Sequence, residues 1–214
     1  AADLIYAFAR AVGPGLGAET APTFSEYALG LARTGSSMAR YGLTPDRDFA
    51  LDEGILDFLR QTRPEVLFLC NPNNPTGRLI EPELLGEVLE VCRGLGIRLF
   101  LDECFLSLSQ GGISMKSILG SYHNLILLKA FTKSYGMAGL RLGYCLSADR
   151  ALLGAMSRES QPWNVSGLAQ AAGTAALKET AFLEKTRALL ERERPGLARG
   201  LEKLGFRVIP SRTN

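Results

Sequence analysis

Three short phrases gather side chains able to bind or react with something other than protein: Asn71-Pro-Asn-Asn-Pro-Thr-Gly77, Asp102-Glu103 and Thr132-Lys133, with Arg141 eight residues past the lysine. A lysine amine drawn partly out of water is a nucleophile toward carbonyl carbon. An arginine beside a threonine hydroxyl can hold a phosphate or carboxylate, and a carboxylate can hold a positive charge opposite it. Each phrase alone has a plainer reading. The first is also a loop of turn formers, Asp102 a helix cap and Lys133 a solvated surface lysine. What argues for chemistry is where the three phrases fall.

The elements that must position them are short apolar runs: Val66 to Cys70, Ile97 to Leu101, Asn124 to Leu128 and Leu142 to Leu146. Their near-continuous apolarity predicts strands covered on both faces. Helical patterns run from Ala1 to Val12, from Asp52 to Gln61, and from Pro82 to Leu95, the last ending at Gly94 and Gly96. Such alternation predicts βαβ units and a mostly parallel sheet. In open α/β sheets the ligand lies beyond the carboxyl ends of the strands. The three phrases follow the first three apolar runs, the last as Ala130-Phe-Thr-Lys133, so three consecutive strands deliver polar groups to one rim. From Ala148 to about Leu204 the pattern is helical, with a break at Gln161-Pro-Trp-Asn164 and a kink or interruption expected at Pro195. Gly13-Pro-Gly-Leu-Gly17 is not read as a dinucleotide loop, because it follows a helix instead of joining a strand to one.

In this order, each at a strand end, the phrases resemble the signature of the fold-type-I pyridoxal-phosphate (PLP) enzymes, the aminotransferase superfamily, over essentially the whole chain. The resemblance implies an α/β PLP-transferase large domain with a mostly parallel seven-stranded sheet flanked by helices, over residues 1–190, and the start of a truncated small domain over 191–214. It implies Lys133 as the lysine that holds the cofactor and, with Asp102, as the catalytic pair. Lys129 competes, but Gly139-Leu-Arg141-Leu-Gly143 follows Lys133 at the family spacing. Asp102 matches the carboxylate facing the pyridine nitrogen. Glu103 is expected to make structural hydrogen bonds. Asn74 matches the asparagine on the phenolic oxygen, and Phe105 stands where many relatives have a tyrosine donating to that oxygen, which removes a donor. For the phosphate the resemblance implies the amides of Ala1 and Ala2 at a helix start, Thr132, and Arg141. Phe24, in Pro22-Thr23-Phe24, matches the aromatic ring that covers the cofactor face. No metal is implied.

Phe105, with Gln161-Pro-Trp163-Asn-Val165, is most similar to the threonine-phosphate decarboxylases of cobamide synthesis, and next to histidinol-phosphate aminotransferases. An amino-acid or phosphorylated amino-acid substrate and a homodimer follow from that likeness. In relatives the substrate-binding arginine and a partner-subunit aromatic residue lie outside the stretch this chain matches. A further alternative is the ligand-sensing half of a transcription regulator, which would carry a DNA-binding domain upstream. Both ends read as cut, since the chain opens directly in a helical pattern at Ala1 and stops at Asn214 just after a strand-like Phe206-Arg-Val-Ile209.

Composition narrows the field. With 24 basic and 22 acidic residues the net charge is +2, and there is no basic stripe to suggest nucleic acid. The longest apolar runs fall far short of the ~20 residues of a membrane span, and no signal peptide is evident. Cys70, Cys92, Cys104 and Cys145 lack zinc-site spacing and read as reduced core thiols of a cytoplasmic protein.

Overall fold

Runs such as Val66–Cys70, apolar at every position, make stable strands only where both sheet faces are covered, and the computed structural model, which describes residues 1–213, covers both. In chain order the elements are α1 (Ala2–Val12), β1 (Leu16–Ala21), α2 (Glu26–Ala32), β2 (Ser37–Gly42), α3 (Gly54–Thr62), β3 (Val66–Cys70), α4 (Pro82–Leu95) and β4 (Arg98–Asp102). They continue as β5 (Leu125–Ala130), a single turn α5 (Phe131–Ser134), β6 (Gly143–Ser147), α6 (Arg150–Arg158), α7 (Gly167–Ala176) and α8 (Thr180–Lys203). Helix α4 shows the expected punctuation: Pro82 in its first turn, where no intrahelical amide is needed, and Gly96 in the left-handed conformation after its last.

The sheet order is β2-β1-β3-β4-β5-β6, with β6 alone antiparallel to its neighbour. Six strands replace the seven expected. Among the described residues the strand-like Phe206–Ile209 forms neither strand nor helix: it lies beyond α8 with Phe206 exposed and pairs with neither edge of the sheet. Strands β1 and β2 were not among the apolar runs. Leu16–Ala21 is small and partly polar, yet it is interior because β2 and β3 flank it, and β2 is a half-exposed edge. The helices after residue 148 and the break near Trp163 fall as expected. Pro195, however, does not interrupt α8. Its neighbourhood is exposed, so water can take the carbonyl that the missing amide leaves unpaired.

Because strand side chains alternate, the sheet sorts its residues onto two faces. Val66, Phe68 and Cys70 of β3, Phe100 of β4, and Ile126, Leu128 and Ala130 of β5 pack against α1, α2 and α6. Leu67, Leu69, Leu99, Leu101, Leu125 and Leu127 pack against α3 and α4. On the first face Phe8 of α1 meets Phe68 edge-on at 5.7 Å and Phe100 at 4.8 Å, while Tyr27 of α2 stacks on Phe68 at 5.2 Å. This aromatic floor lies directly beneath the strand ends that carry the polar phrases.

Candidate active site

The register sets the carboxyl ends of the three central strands level, with Cys70 beside Asp102 and Asp102 beside Leu128. A cavity of about 130 Å³ opens there on the α1 and α2 face. Ala1, Ala2, Phe24, Asn74, Asp102, Phe105, Thr132, Lys133 and Arg141 all line it, so residues far apart in sequence meet at one place. A larger cavity of about 520 Å³ lies on the other face, between α4 and residues 110–118, but none of these nine residues borders it.

Asp102 ends β4, only 5% exposed, on the cavity side of the sheet. Its Oδ2 accepts from the Tyr27 hydroxyl at 2.8 Å and its Oδ1 from the Cys104 amide at 2.9 Å. Burial pushes the Asp102 carboxyl upward from its ordinary range, while the donors at Cys104 and Tyr27 pull it back toward ionisation. Burial also raises the Tyr27 phenol well above its usual value, which keeps it a hydrogen-bond donor. Tyr27 has no counterpart in the sequence reading. Its ring meets that of Phe24, three residues earlier and just before α2, edge-on at 5.7 Å.

The asparagine-rich loop divides its labour. Asn71 Oδ1 accepts from the Ile80 amide at 3.0 Å and closes the loop. Asn73 donates to the Pro22 carbonyl and to Thr76 Oγ1, both at 3.0 Å, and accepts from Thr23 Oγ1 at 2.7 Å, which ties the Phe24 segment to the loop. Asn74 alone of the three lines the cavity, and its side-chain amide has no hydrogen-bond partner among the described residues.

The two lysines separate at the end of β5, one in the strand and one in the turn after it. Lys129 projects from β5 to the face away from the cavity, where its Nζ meets Glu103 Oε2 at 2.6 Å. Lys133, in the turn α5, lines the cavity with its Nζ 5.2 Å from the centre of the Phe105 ring, within cation–π range. Its side chain is exposed, so the partial desolvation expected of it is not supplied by this chain's own residues.

At the other end of the cavity, α1 begins with no side-chain cap on its first amides. Gly143 lets that helix start approach the sheet: a Cβ there would meet the Ala1 nitrogen at 2.9 Å and the Lys129 carbonyl oxygen at 3.0 Å. Arg141 holds a left-handed conformation (φ 54°), unusual for a residue with a side chain, at the close of the turn over Ala138–Leu140. Its guanidinium donates to the Ala138 carbonyl at 3.2 Å and has no carboxylate partner among the described residues. Uncapped amides, an unpaired guanidinium and the Thr132 hydroxyl make this end an anion cradle.

A mostly parallel α/β sheet whose level strand ends bring an amine, a buried carboxylate, a free amide and an anion cradle to one cavity defines a cofactor-binding domain. Residues 17–214 match the family described as aminotransferase class I and II, and the chain belongs to it. The chain is 34% identical over 213 residues to the threonine-phosphate decarboxylase of Salmonella typhimurium, covering 99% of this chain and 58% of that protein. It is 36% identical over 186 residues to the chloroplastic histidinol-phosphate aminotransferase of Nicotiana plumbaginifolia, covering 86% and 43%. Its fold superposes on the histidinol-phosphate aminotransferase of Clostridium acetobutylicum with a TM-score of 0.90 at 24% identity, over 100% of this chain and 64% of that one. The chain thus spans 58% and 43% of the curated relatives named. The family and its fold are PLP-dependent.

Proposed function

We propose that this chain holds PLP through Lys133 and serves an enzyme that decarboxylates a phosphorylated hydroxy-amino acid, threonine O-phosphate. The observation that carries the reading is the single cavity shared by Lys133, Asp102, Asn74, Phe24, Arg141 and the start of α1. The residues fit the group. The anion cradle suits its phosphate, the unbonded Asn74 amide its phenolic oxygen, and the Phe24 ring the face of its pyridine.

When bound, the cofactor supplies a conjugated electron sink for the pair left on the substrate's α-carbon. Asp102, whose ionised form its two donors favour, would face the ring nitrogen and help to keep a proton there. Arg141, Thr132 and the α1 amides fix the ring's position by its phosphate. Phe105 offers no hydroxyl, so Asn74 is the hydrogen-bonding side chain for the phenolic oxygen. Lys133 carries the only side-chain amine lining the cavity among the described residues, and it delivers the proton to the α-carbon once carbon dioxide has left.

A second reading, transamination of histidinol phosphate, is favoured by the 36% identity to the tobacco-genus aminotransferase. The complete enzyme is taken to be a homodimer; an active monomer in sedimentation would exclude that. The deciding experiment mixes the full-length protein with threonine O-phosphate and no keto acid. Decarboxylation releases carbon dioxide and leaves the cofactor's visible band in place. Loss of that band on adding histidinol phosphate or glutamate, with no carbon dioxide released from threonine phosphate, transfers the assignment to the second reading. Borohydride reduction followed by peptide mapping should label Lys133, and a label on Lys129 overturns the assignment of the lysine.

A further inference from the structure

We infer that the ion pair of Glu103 and Lys129, on the sheet face opposite the cavity, is a positioning device that fixes the separation of Asp102 from Lys133; the inference rests on the cofactor reading above. Glu103 follows Asp102 directly, and Lys129 lies four residues before Lys133, between Leu128 and Ala130, which both line the cavity. The last registered pair of β4 and β5 is Asp102 with Leu128. Beyond it the two strand ends are joined by the Glu103 amide donating to the Leu128 carbonyl at 2.9 Å and by the ion pair at 2.6 Å.

The Glu103 side chain is 0% exposed and that of Lys129 15%. Both oxygens of the Glu103 carboxylate are engaged: Oε2 also accepts from Ser114 Oγ at 2.6 Å, and Oε1 accepts from the Met115 amide at 2.9 Å. Removing two charges from water is costly, and an apolar pair of the same volume would hold two strands together as well or better. What an apolar pair would not provide is direction. A charged contact to a carboxylate whose two oxygens are both held in place, one by Ser114 Oγ and one by the Met115 amide, favours one relative placement of the strand ends. Neither residue borders the cofactor cavity, so the pair acts through Asp102 and Lys133 and not on substrate.

The test compares wild type with the charge-free double variant Glu103→Gln/Lys129→Met and with Lys129→Arg. Amide hydrogen exchange, read residue by residue on the chain without cofactor, should quicken roughly tenfold or more at Glu103 in the double variant, with Leu101 in mid-strand and the urea midpoint unchanged. PLP affinity should fall roughly tenfold or more, the pH midpoint of the bound cofactor's visible band should move, and Lys129→Arg should restore both. Wild-type exchange at Glu103 in the double variant overturns the inference whatever the cofactor does. So does quickened exchange with wild-type affinity and midpoint, since the pair then merely braces the sheet. If wild type itself takes no borohydride label on Lys133, the cofactor reading falls and the positioning role falls with it, although the exchange result still shows whether the pair pins the strand ends.

Discussion

Replacing Tyr27 by phenylalanine removes one oxygen from the interior and leaves the ring, so the stack on Phe68 and the edge contact with Phe24 remain. What is lost is the 2.8 Å hydrogen bond to Asp102 Oδ2, from a fully buried donor to a carboxylate that is itself buried. Hydrogen bonds to charged groups contribute about 1.5–3 kcal/mol. At about 2–4 °C per kcal/mol for a chain of this size, melting should fall by about 3–12 °C. The pH dependence has a definite sign. The Tyr27 bond favours ionised Asp102, so removing it raises further a carboxyl that burial already raises. A carboxyl whose folded value is raised contributes stability that is complete below its unfolded value and is lost as pH rises through the folded one. The deficit of Tyr27→Phe should therefore be small in acid and grow toward neutral and alkaline pH. Urea titrations of both proteins across that range measure it. A deficit below about 0.5 kcal/mol at every pH, or one that shrinks as pH rises, would refute the argument that Tyr27 favours the ionised form of Asp102.

Asp102→Asn should leave some PLP bound while turnover of the full-length enzyme drops by several orders of magnitude, whereas loss of a mere helix cap would cost only ~1 kcal/mol of stability, so rate and urea midpoint together decide. Glu19 is 4% exposed in β1, with Oε1 on Arg40 at 2.9 Å and Oε2 buried without a partner, and burial raises its carboxyl despite Arg40. Its stability contribution is thus present in acid and lost as pH rises, so Glu19→Gln should raise the urea midpoint at neutral pH, by about 0.5–1 kcal/mol, and not in acid. Gly143→Ala sets a methyl against the Ala1 nitrogen and the Lys129 carbonyl; it should cost about 1–3 kcal/mol and push the start of α1 out of the cradle, read as weaker PLP binding in a calorimetric titration.

The fold was legible wherever burial on both faces left an apolar run. Val66–Cys70 is such a strand end to end, and Pro82 with Gly96 bounded α4. Leu16–Ala21 escaped because a strand walled in by β2 and β3 needs no bulk of its own: its Gly17 stands where a Cβ would come within 2.2 Å of Leu31, so the site requires smallness and the run does not look like a strand. The opposite error, Phe206–Ile209, has the residue types of a strand, but residue type alone does not bring a segment to an edge, and this one pairs with neither β2 nor β6.

The site was legible for a different reason, and one part of it could have been read more sharply. Parity along a strand assigns faces. With Phe100 on the α1 side, Asp102 shares its face and Glu103 does not; with Ile126 and Leu128 on that side, Ala130 shares it and Lys129 does not. The rule of twos therefore separates Asp102 from Glu103 and turns Lys129 away from the cavity, obscured in the sequence because both faces are equally apolar; it does not place Lys133, which lies past the end of β5 in the turn α5 and was marked by the Gly139-Leu-Arg141 phrase that follows it. No such rule reaches Tyr27. Its bond to Asp102 joins residues 75 apart, through a helix whose rotation about its axis is set by Leu31 and Phe68, and a tyrosine among core residues carries no mark of where its hydroxyl will end. Pairs of strand neighbours announce their face in one dimension, whereas a helix lends a strand its hydrogen-bond donor only once the two have packed.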